Sequence, residues 1–171
     1  MTAPPTSSVR GVNGAVSAAE QLATNAGVAT LQAGGNAVDA AIATNAVMAV
    51  VAPHQCGMGG DLFALVHQDG TTGALNASGR AGSGADPDTL RAEGQTEMPL
   101  HHDIRTVTVP GCVDGWVALH ERFGTMPLAD LLAPATRLAE SGFPASPLLQ
   151  AILLAVAAYG VGLALFRSRP A

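Results

Sequence analysis

Between residues 18 and 33, Leu22, Ala26, Ala29 and Ala33 fall at intervals of three and four, which predicts a helix with one buried face. Gly34-Gly35 supplies the left-handed stop that a helix end favours. Asn36 is placed to cap a second helix, and Asp39 sits in its first turn, where a carboxylate complements the helix dipole. Residues 37–49 are Ala-rich and apolar on nearly all sides, so this helix is expected to be fully buried until Pro53 ends it. Asp39 is expected to act first as a helix-start charge and second as a contact to a buried neighbouring loop.

The period then changes from helical to alternating. Residues 62–67 read as a strand, Asp69-Gly70 as a tight turn and residues 73–77 as the hairpin partner. Residues 79–103 carry no regular pattern. Residues 105–109 alternate like a strand, and Pro110-Gly111 turns the chain into a helix over 113–123 that Gly124 stops. Two short helices are predicted over 128–132 and 134–141, the second begun by Pro134 in its first turn and closed by Gly142. The Pro/Ser/Thr-rich residues 1–10 read as a disordered leader.

No repeat or linker divides the chain, so one domain is expected, with a tail from 148 to 171 that behaves differently. Residues 148–166 contain one strongly polar side chain, Gln150, before Arg167-Ser168-Arg169. A helix packed on the domain is favoured; a membrane span with a positive flank and a tail unrelated to the rest of the fold stay open. Gly160 and Gly162 weaken any helix there.

Composition changes the picture in one respect. Charged residues are 12% of the 171, about half the usual share, and aromatics only 4%, so the core is built from small side chains and the surface suits an isolated monomer poorly. Cover from a partner chain or from the rest of a longer polypeptide is expected. A net charge of -5 without a basic cluster disfavours nucleic acid. Cys56 and Cys112 lack metal-ligand spacing and read as small buried thiols; with no apolar signal-peptide core at the amino terminus, a cytoplasmic location is expected.

Of the histidines His54, His67, His101, His102 and His120, none forms a metal-binding motif, although His101-His102 beside Asp103 offers a weak adventitious site. No metal and no cofactor are expected. The Gly57, Gly59, Gly60 run lies between a helix and a strand, the reverse of the order a dinucleotide loop requires, and no Lys-Ser/Thr follows it. The favoured reading is steric: glycines let backbone pass close to a neighbouring element or to a site floor. Trp116, the single tryptophan, reads as a core anchor.

Several fixed strings occur in order: Gly34-Gly35-Asn36-Ala37-Val38-Asp39-Ala40-Ala41, Val50-Val51-Ala52-Pro53-His54, Gly57-Met58-Gly59-Gly60-Asp61-Leu62-Phe63, Val107-Thr108-Val109-Pro110-Gly111, and Phe123-Gly124-Thr125-Met126-Pro127. Pro134-Ala135, Leu138-Ala139 and Gly142-Phe143 continue the series. In order and spacing, residues 11–147 resemble the gamma-glutamyltransferases (gamma-glutamyl transpeptidases) of the N-terminal nucleophile hydrolase superfamily. The resemblance implies an α+β fragment of a four-layer αββα sandwich, made as a precursor that cleaves itself into a large and a small subunit.

It further implies an amide hydrolase or acyl transferase acting on gamma-glutamyl compounds such as glutathione, with an amino-terminal threonine of the small subunit as nucleophile and its α-amine as base. That threonine lies downstream of everything present in typical members, so the chain corresponds to part of the large subunit, contributes no catalytic residue and is expected to be inactive alone. A small subunit carrying the nucleophile is the implied partner and a small-molecule amide the implied substrate. A non-catalytic binding or membrane-tethered remnant is the alternative. Thr71-Thr72 resembles the doubled threonine of some such sites, but it follows Asp69-Gly70 in a hairpin turn and is not read as a nucleophile.

Typical members grip the substrate α-carboxylate with an arginine shortly after the second hairpin strand. Aligned without a gap, Ser78 takes that position and Arg80 stands two residues later, followed by Ala81-Gly82 instead of Ala-Pro. Ser78 and Arg80 are the expected substrate-binding residues, and Gly57, Gly59, Gly60 and Asp61 the expected structural loop. The departure leaves a related acylase of another amide open, and Arg80 also reads as a solvated loop cation.

Overall fold

The computed structural model describes residues 10–98 and 103–167, with residues 161–167 as backbone only. Most of the predicted leader, the His101-His102 pair and the end of the tail lie outside the described residues. The elements run α1 (Gln21–Gln32), α2 (Ala37–Val51), β1 (Leu62–Gln68), β2 (Thr71–Ala77), α3 (Pro87–Ala92), α4 (Cys112–Phe123), α5 (Leu128–Ser141) and α6 (Pro147–Arg167). The mixture of helix and strand agrees with the α+β expectation.

Helix α2 is the centre of the fold. Its amino terminus carries a full capping box: Asn36 Oδ1 accepts from the Val38 and Asp39 N–H groups at 2.8 and 2.9 Å, and Asp39 Oδ2 accepts from the Asn36 N–H at 3.0 Å. Ile42, Val47 and Val51 are buried on α2 and join Trp116 and Leu119 of α4 and Leu131 and Ala135 of α5 in one core. Each large side chain there contributes about 1.5–3 kcal/mol of burial. The small residues expected from composition contribute to the close packing, with Ala23 and Ala26 of α1 and Ala43 and Ala46 of α2 all buried in this core.

Two elements differ from expectation. The predicted helices over 128–132 and 134–141 are one helix, α5, with Pro134 inside it. Leu131 and Ala135 lie on the same buried face either side of the proline, and packing that face on α2 outweighs the hydrogen bond that Pro134 cannot donate. The predicted strand over 105–109 is not a strand: residues 104–106 form a short 3-10 turn and residues 107–110 are extended without a ladder. Local charge decides this turn, because Asp103 accepts from Arg105 N–H, Nε and Nη2, and Arg105 Nη1 donates to Glu93. The guanidinium holds the Asp103 carboxyl down at about 2. Residues 79–103, expected to be irregular, contain the short α3, capped by Asp86.

The hairpin pairs antiparallel from Leu62↔Ala77 to Gln68↔Thr71, and Asp69 and Gly70 both take positive φ, as the two-residue turn requires. One face rests on α4; Gly115 brings that helix against Leu62 and Ala77. The other face is bare, with Phe63 63% and Leu65 79% exposed. Helix α6 runs through Gly160 and Gly162 unbroken; near its start Leu149 is buried, while Leu154 is 71% exposed. Among the described residues, no helix is long and apolar enough to cross a membrane.

Candidate functional site

Helix α2 gives way at Ala52, whose carbonyl accepts from the Gln55 and Cys56 N–H groups at 2.9 and 3.3 Å. The next residues close a turn, Gly60 N–H donating to the Gly57 carbonyl at 3.2 Å. The Gly60 carbonyl then accepts from both Gly111 and Cys112 N–H, each at 3.0 Å. Those two amides belong to the first turn of α4, where helix N–H groups have no intrahelical partner. One carbonyl thus docks the glycine loop onto the start of a helix some fifty residues away.

A second segment reaches the same place. Beyond the Leu62↔Ala77 pair, Asp61 and Ser78 flank the open end of the hairpin. Ser78 N–H donates to Asn76 Oδ1 at 3.0 Å and its carbonyl accepts from Thr108 Oγ1 at 3.2 Å. Val109 N–H donates to the Arg80 carbonyl at 2.9 Å. Between them Gly79 has φ +87, and a Cβ there would collide with the Val109 carbonyl; a Cβ on Gly111 would collide with the Ala77 carbonyl. The strap 76–80 and the segment 107–111 are therefore pressed backbone to backbone, and glycine is required on both sides.

Gly57, Gly59, Gly60, Asp61 and Ser78 are brought together around the start of α4. Ser78 is half-buried and backbone-anchored, while Arg80 is exposed on the far side of Gly79, and no ion pair to its guanidinium is present among the described residues. The close passage expected at the glycine loop occurs elsewhere: a Cβ on Gly57 or Gly59 would meet nothing within 4 Å, whereas Gly79 and Gly111 carry the tight approach. A cavity of about 310 Å³ lies beside the loop, lined by Ile42, Asn45, Asp61, Phe63 and Trp116 among others. A larger hollow of about 770 Å³, between residues 13–19 and α2, contains none of the predicted site residues.

One polar group behind the loop was not singled out by sequence reasoning. Asn45 Oδ1 accepts from Trp116 Nε1 at 2.7 Å and receives a long contact of 3.9 Å from Cys112 Sγ. Trp116 is thus a core anchor, as expected, whose N–H also ties α4 to α2. The available signal was a single amide in an otherwise apolar stretch, because a buried polar side chain requires a partner. Thr108, which holds the strap, carried no signal.

Asp39, at the opposite end of α2, goes well beyond capping. It is fully buried, and its carboxylate accepts from Thr125 N–H at 3.1 and 3.2 Å and from Thr125 Oγ1 at 2.5 Å, locking the α4–α5 connection. Burial pushes its pKa up, but hydrogen bonds from the Thr125 hydroxyl and from the Asn36, Thr125 and Met126 N–H groups outweigh that, so the carboxyl titrates below its ordinary value. The expected contact to a neighbouring loop is this one.

Burial pushes both thiols up; for Cys112, Cys56 and Asp61 add to the effect. Cys112 is buried as expected, and Cys56 is half-exposed. His54 Nε2 meets the Gln55 amide at 3.2 Å; an accepting Nε2 places the ring proton on Nδ1, which is buried without a partner. Thr72 Oγ1 and His67 Nδ1 are 2.8 Å apart at the turn end of the hairpin, roughly 20 Å along the strands from Ser78. Among the described residues, no cluster of three metal-ligating side chains is present.

The arrangement offers anchored backbone, one half-buried hydroxyl and a small cavity, which suit holding a ligand rather than attacking one. A sequence model of the gamma-glutamyltranspeptidase family matches residues 23–158. The glutathione hydrolase-like YwrD proenzyme of Bacillus subtilis is 42% identical over 141 residues, 81% of this chain and 26% of that protein. The oxamate amidohydrolase proenzyme of Klebsiella pneumoniae is 41% identical over 139 residues, covering 77% and 26%. Among solved structures, the gamma-glutamyltranspeptidase from Pseudomonas nitroreducens complexed with L-DON superposes with a TM-score of 0.72 at 30% identity, covering 94% of this chain and 47% of that one. The chain spans about a quarter of the length of these two proenzymes.

Proposed function

The chain belongs to the gamma-glutamyltranspeptidase family, and from that premise we propose that it forms the substrate-facing front of the large subunit of an N-terminal nucleophile amidase. In this reading the bare face of the hairpin joins an αββα sandwich, and a small subunit supplies the threonine nucleophile and its α-amine base. The 171 residues then bind and orient an amide substrate and catalyse nothing alone. The observation that carries the reading is the docking of the Gly57–Gly60 turn and the Ser78 strap on the start of α4. This convergence lies inside the family-matched stretch and places Ser78 and Asp61 together at the open end of the hairpin.

Ser78 sets the substrate class. Its backbone is fixed at both N–H and carbonyl, so Arg80 cannot slide back to the position Ser78 occupies; Gly79, pinned against Val109, stands between them. A neutral hydroxyl in that position favours an amide whose acyl group lacks the glutamyl α-carboxylate. The oxamate amidohydrolase among the relatives acts, by name, on an amide with no glutamyl group, although its acyl part carries a carboxylate of its own, whereas the glutathione hydrolase-like relative points back to gamma-glutamyl amides. Arg80 is then a solvated cation at the rim.

The purified 171-residue chain, incubated with a gamma-glutamyl anilide, is expected to release no chromophore above a boiled control. Joined to the remaining large-subunit residues of a relative and co-expressed with that relative's small subunit, it is expected to co-purify and to hydrolyse simple amides in preference to the anilide, with Ser78→Arg reversing that preference about tenfold or more. Turnover by the chain alone, or failure of the two subunits to associate, would overturn the reading.

A further inference from the structure

We propose that Cys56 and Cys112 form a redox pair that closes into an intramolecular disulfide across the Gly57–Gly60 turn and fastens that turn to α4. The two residues flank the same turn. Cys56 immediately precedes it, and the Cys112 N–H is bonded at 3.0 Å to the carbonyl of its last residue, Gly60. The turn itself is short, closed by the Gly60-to-Gly57 hydrogen bond of 3.2 Å. Burial pushes the Cys112 thiol up, and Cys56 adds to that push.

A disulfide needs Cα atoms about 4.4–6.8 Å apart and suitably directed Cβ vectors. No atom lies within 4 Å of a Cβ built on Gly57 or Gly59, so the turn is not wedged against a neighbour at those two positions. The Cys112 thiol has little to lose: its one polar contact is the 3.9 Å approach to Asn45 Oδ1, an oxygen already held at 2.7 Å by Trp116. Exposure sets the order of events. Cys56, the half-exposed thiol, reacts first, and the buried Cys112 resolves.

The oxidant is a small-molecule disulfide. The Cys56 thiolate attacks one of its sulfurs, expelling one thiolate and leaving a mixed disulfide. The Cys112 thiolate then attacks the Cys56 sulfur and expels the second. Two protein thiols become one disulfide while the oxidant is reduced to two thiols, and the protons released pass to solvent or to those leaving thiolates. The consequence for the amide site rests on the reading above; the bond itself does not.

The test uses the full chain with hydroxyethyl disulfide, which contains no amide, at mildly alkaline pH, followed by maleimide trapping in denaturant and mass analysis. The expected product has lost two hydrogens, takes up no maleimide and yields a linked Cys56–Cys112 peptide. Cys112→Ser and Cys112→Ala are expected to stop at one mercaptoethanol on Cys56. A wild-type product with mercaptoethanol on Cys56 and a free Cys112, or disulfide-linked dimers, would overturn the pairing. Amide exchange at 58–61 is expected to slow about tenfold in the oxidised chain and to recover with reductant; unchanged exchange would overturn the lock. The anilide and co-purification measurements register failure of the amidase reading separately.

Discussion

Around α2 the protein is finished: the buried Asp39 carboxylate meets donors from Asn36 and Thr125, and the side chains of Ile42, Val47 and Leu131 have no exposed surface to speak of. Around β1 it is not. Phe63 and Leu65 project from a two-stranded sheet with both edges unpaired, and the apolar flank of α6 has no covering element among the described residues. A hairpin of this kind is marginal without further strands or a helix on it. The helical side has the satisfied polar groups and dense packing of a self-sufficient core; the hairpin side has the patterning of an interior face. The candidate site lies at the seam between the two, where α4 meets the hairpin's open end.

The comparison breaks most severely at Asp39. Asp39→Ala leaves the Asn36 and Thr125 donors buried without an acceptor and is expected to cost about 3–4 kcal/mol, measured by urea denaturation. The folded pKa of Asp39 is depressed, so its contribution is fully present above the ordinary carboxylate range and is lost as pH falls through the folded value. The stability gap between wild type and Asp39→Asn should therefore be widest near neutrality and narrow in acid; a gap independent of pH would show that the carboxylate charge is not what holds Thr125.

A smaller effect is expected at the seam. Gly79→Ala forces a side chain into a positive-φ position against the Val109 carbonyl and should lose about 1–3 kcal/mol, while Gly57→Ala should stay within about 0.5 kcal/mol. Equal losses would mean that the strap is not the constrained element. Smallest of all is the bare face: Leu65→Thr should change stability by less than about 0.5 kcal/mol and reduce self-association on gel filtration. A large loss of stability there would show the face to be core already.

What the sequence disclosed was mostly what is decided locally. Asn36 and Asp39 announce a helix start because cap and first-turn charge lie within four residues, and the structure joins them in a capping box. Asp69-Gly70 announces its turn for the same reason. Pro134 misled because a proline's missing donor is visible in the sequence, whereas the packing of Leu131 and Ala135 on α2 that carries the helix through it is not. Val107 and Val109 alternate as a strand does, yet a strand needs a neighbour, and the neighbour here is a strap that gives two hydrogen bonds instead of a ladder. The site divided in the same way. The glycine loop was recognisable through ordered family strings, but Asn45, Thr108 and the close approach at Gly79 depend on residues tens of positions apart.

The Gly60 carbonyl, held by two amides from the start of α4, also bears on the order in which the chain assembles. Helices α1 and α2 are joined by a four-residue connection and pack through local contacts, the kind that form early. The Gly60 contact must first close a loop of about fifty residues, so its entropic cost precedes its reward. The seam is therefore expected to order last during folding and to open first under denaturant, ahead of the helical side, which would make the ligand-facing part of the protein its most labile cooperative unit.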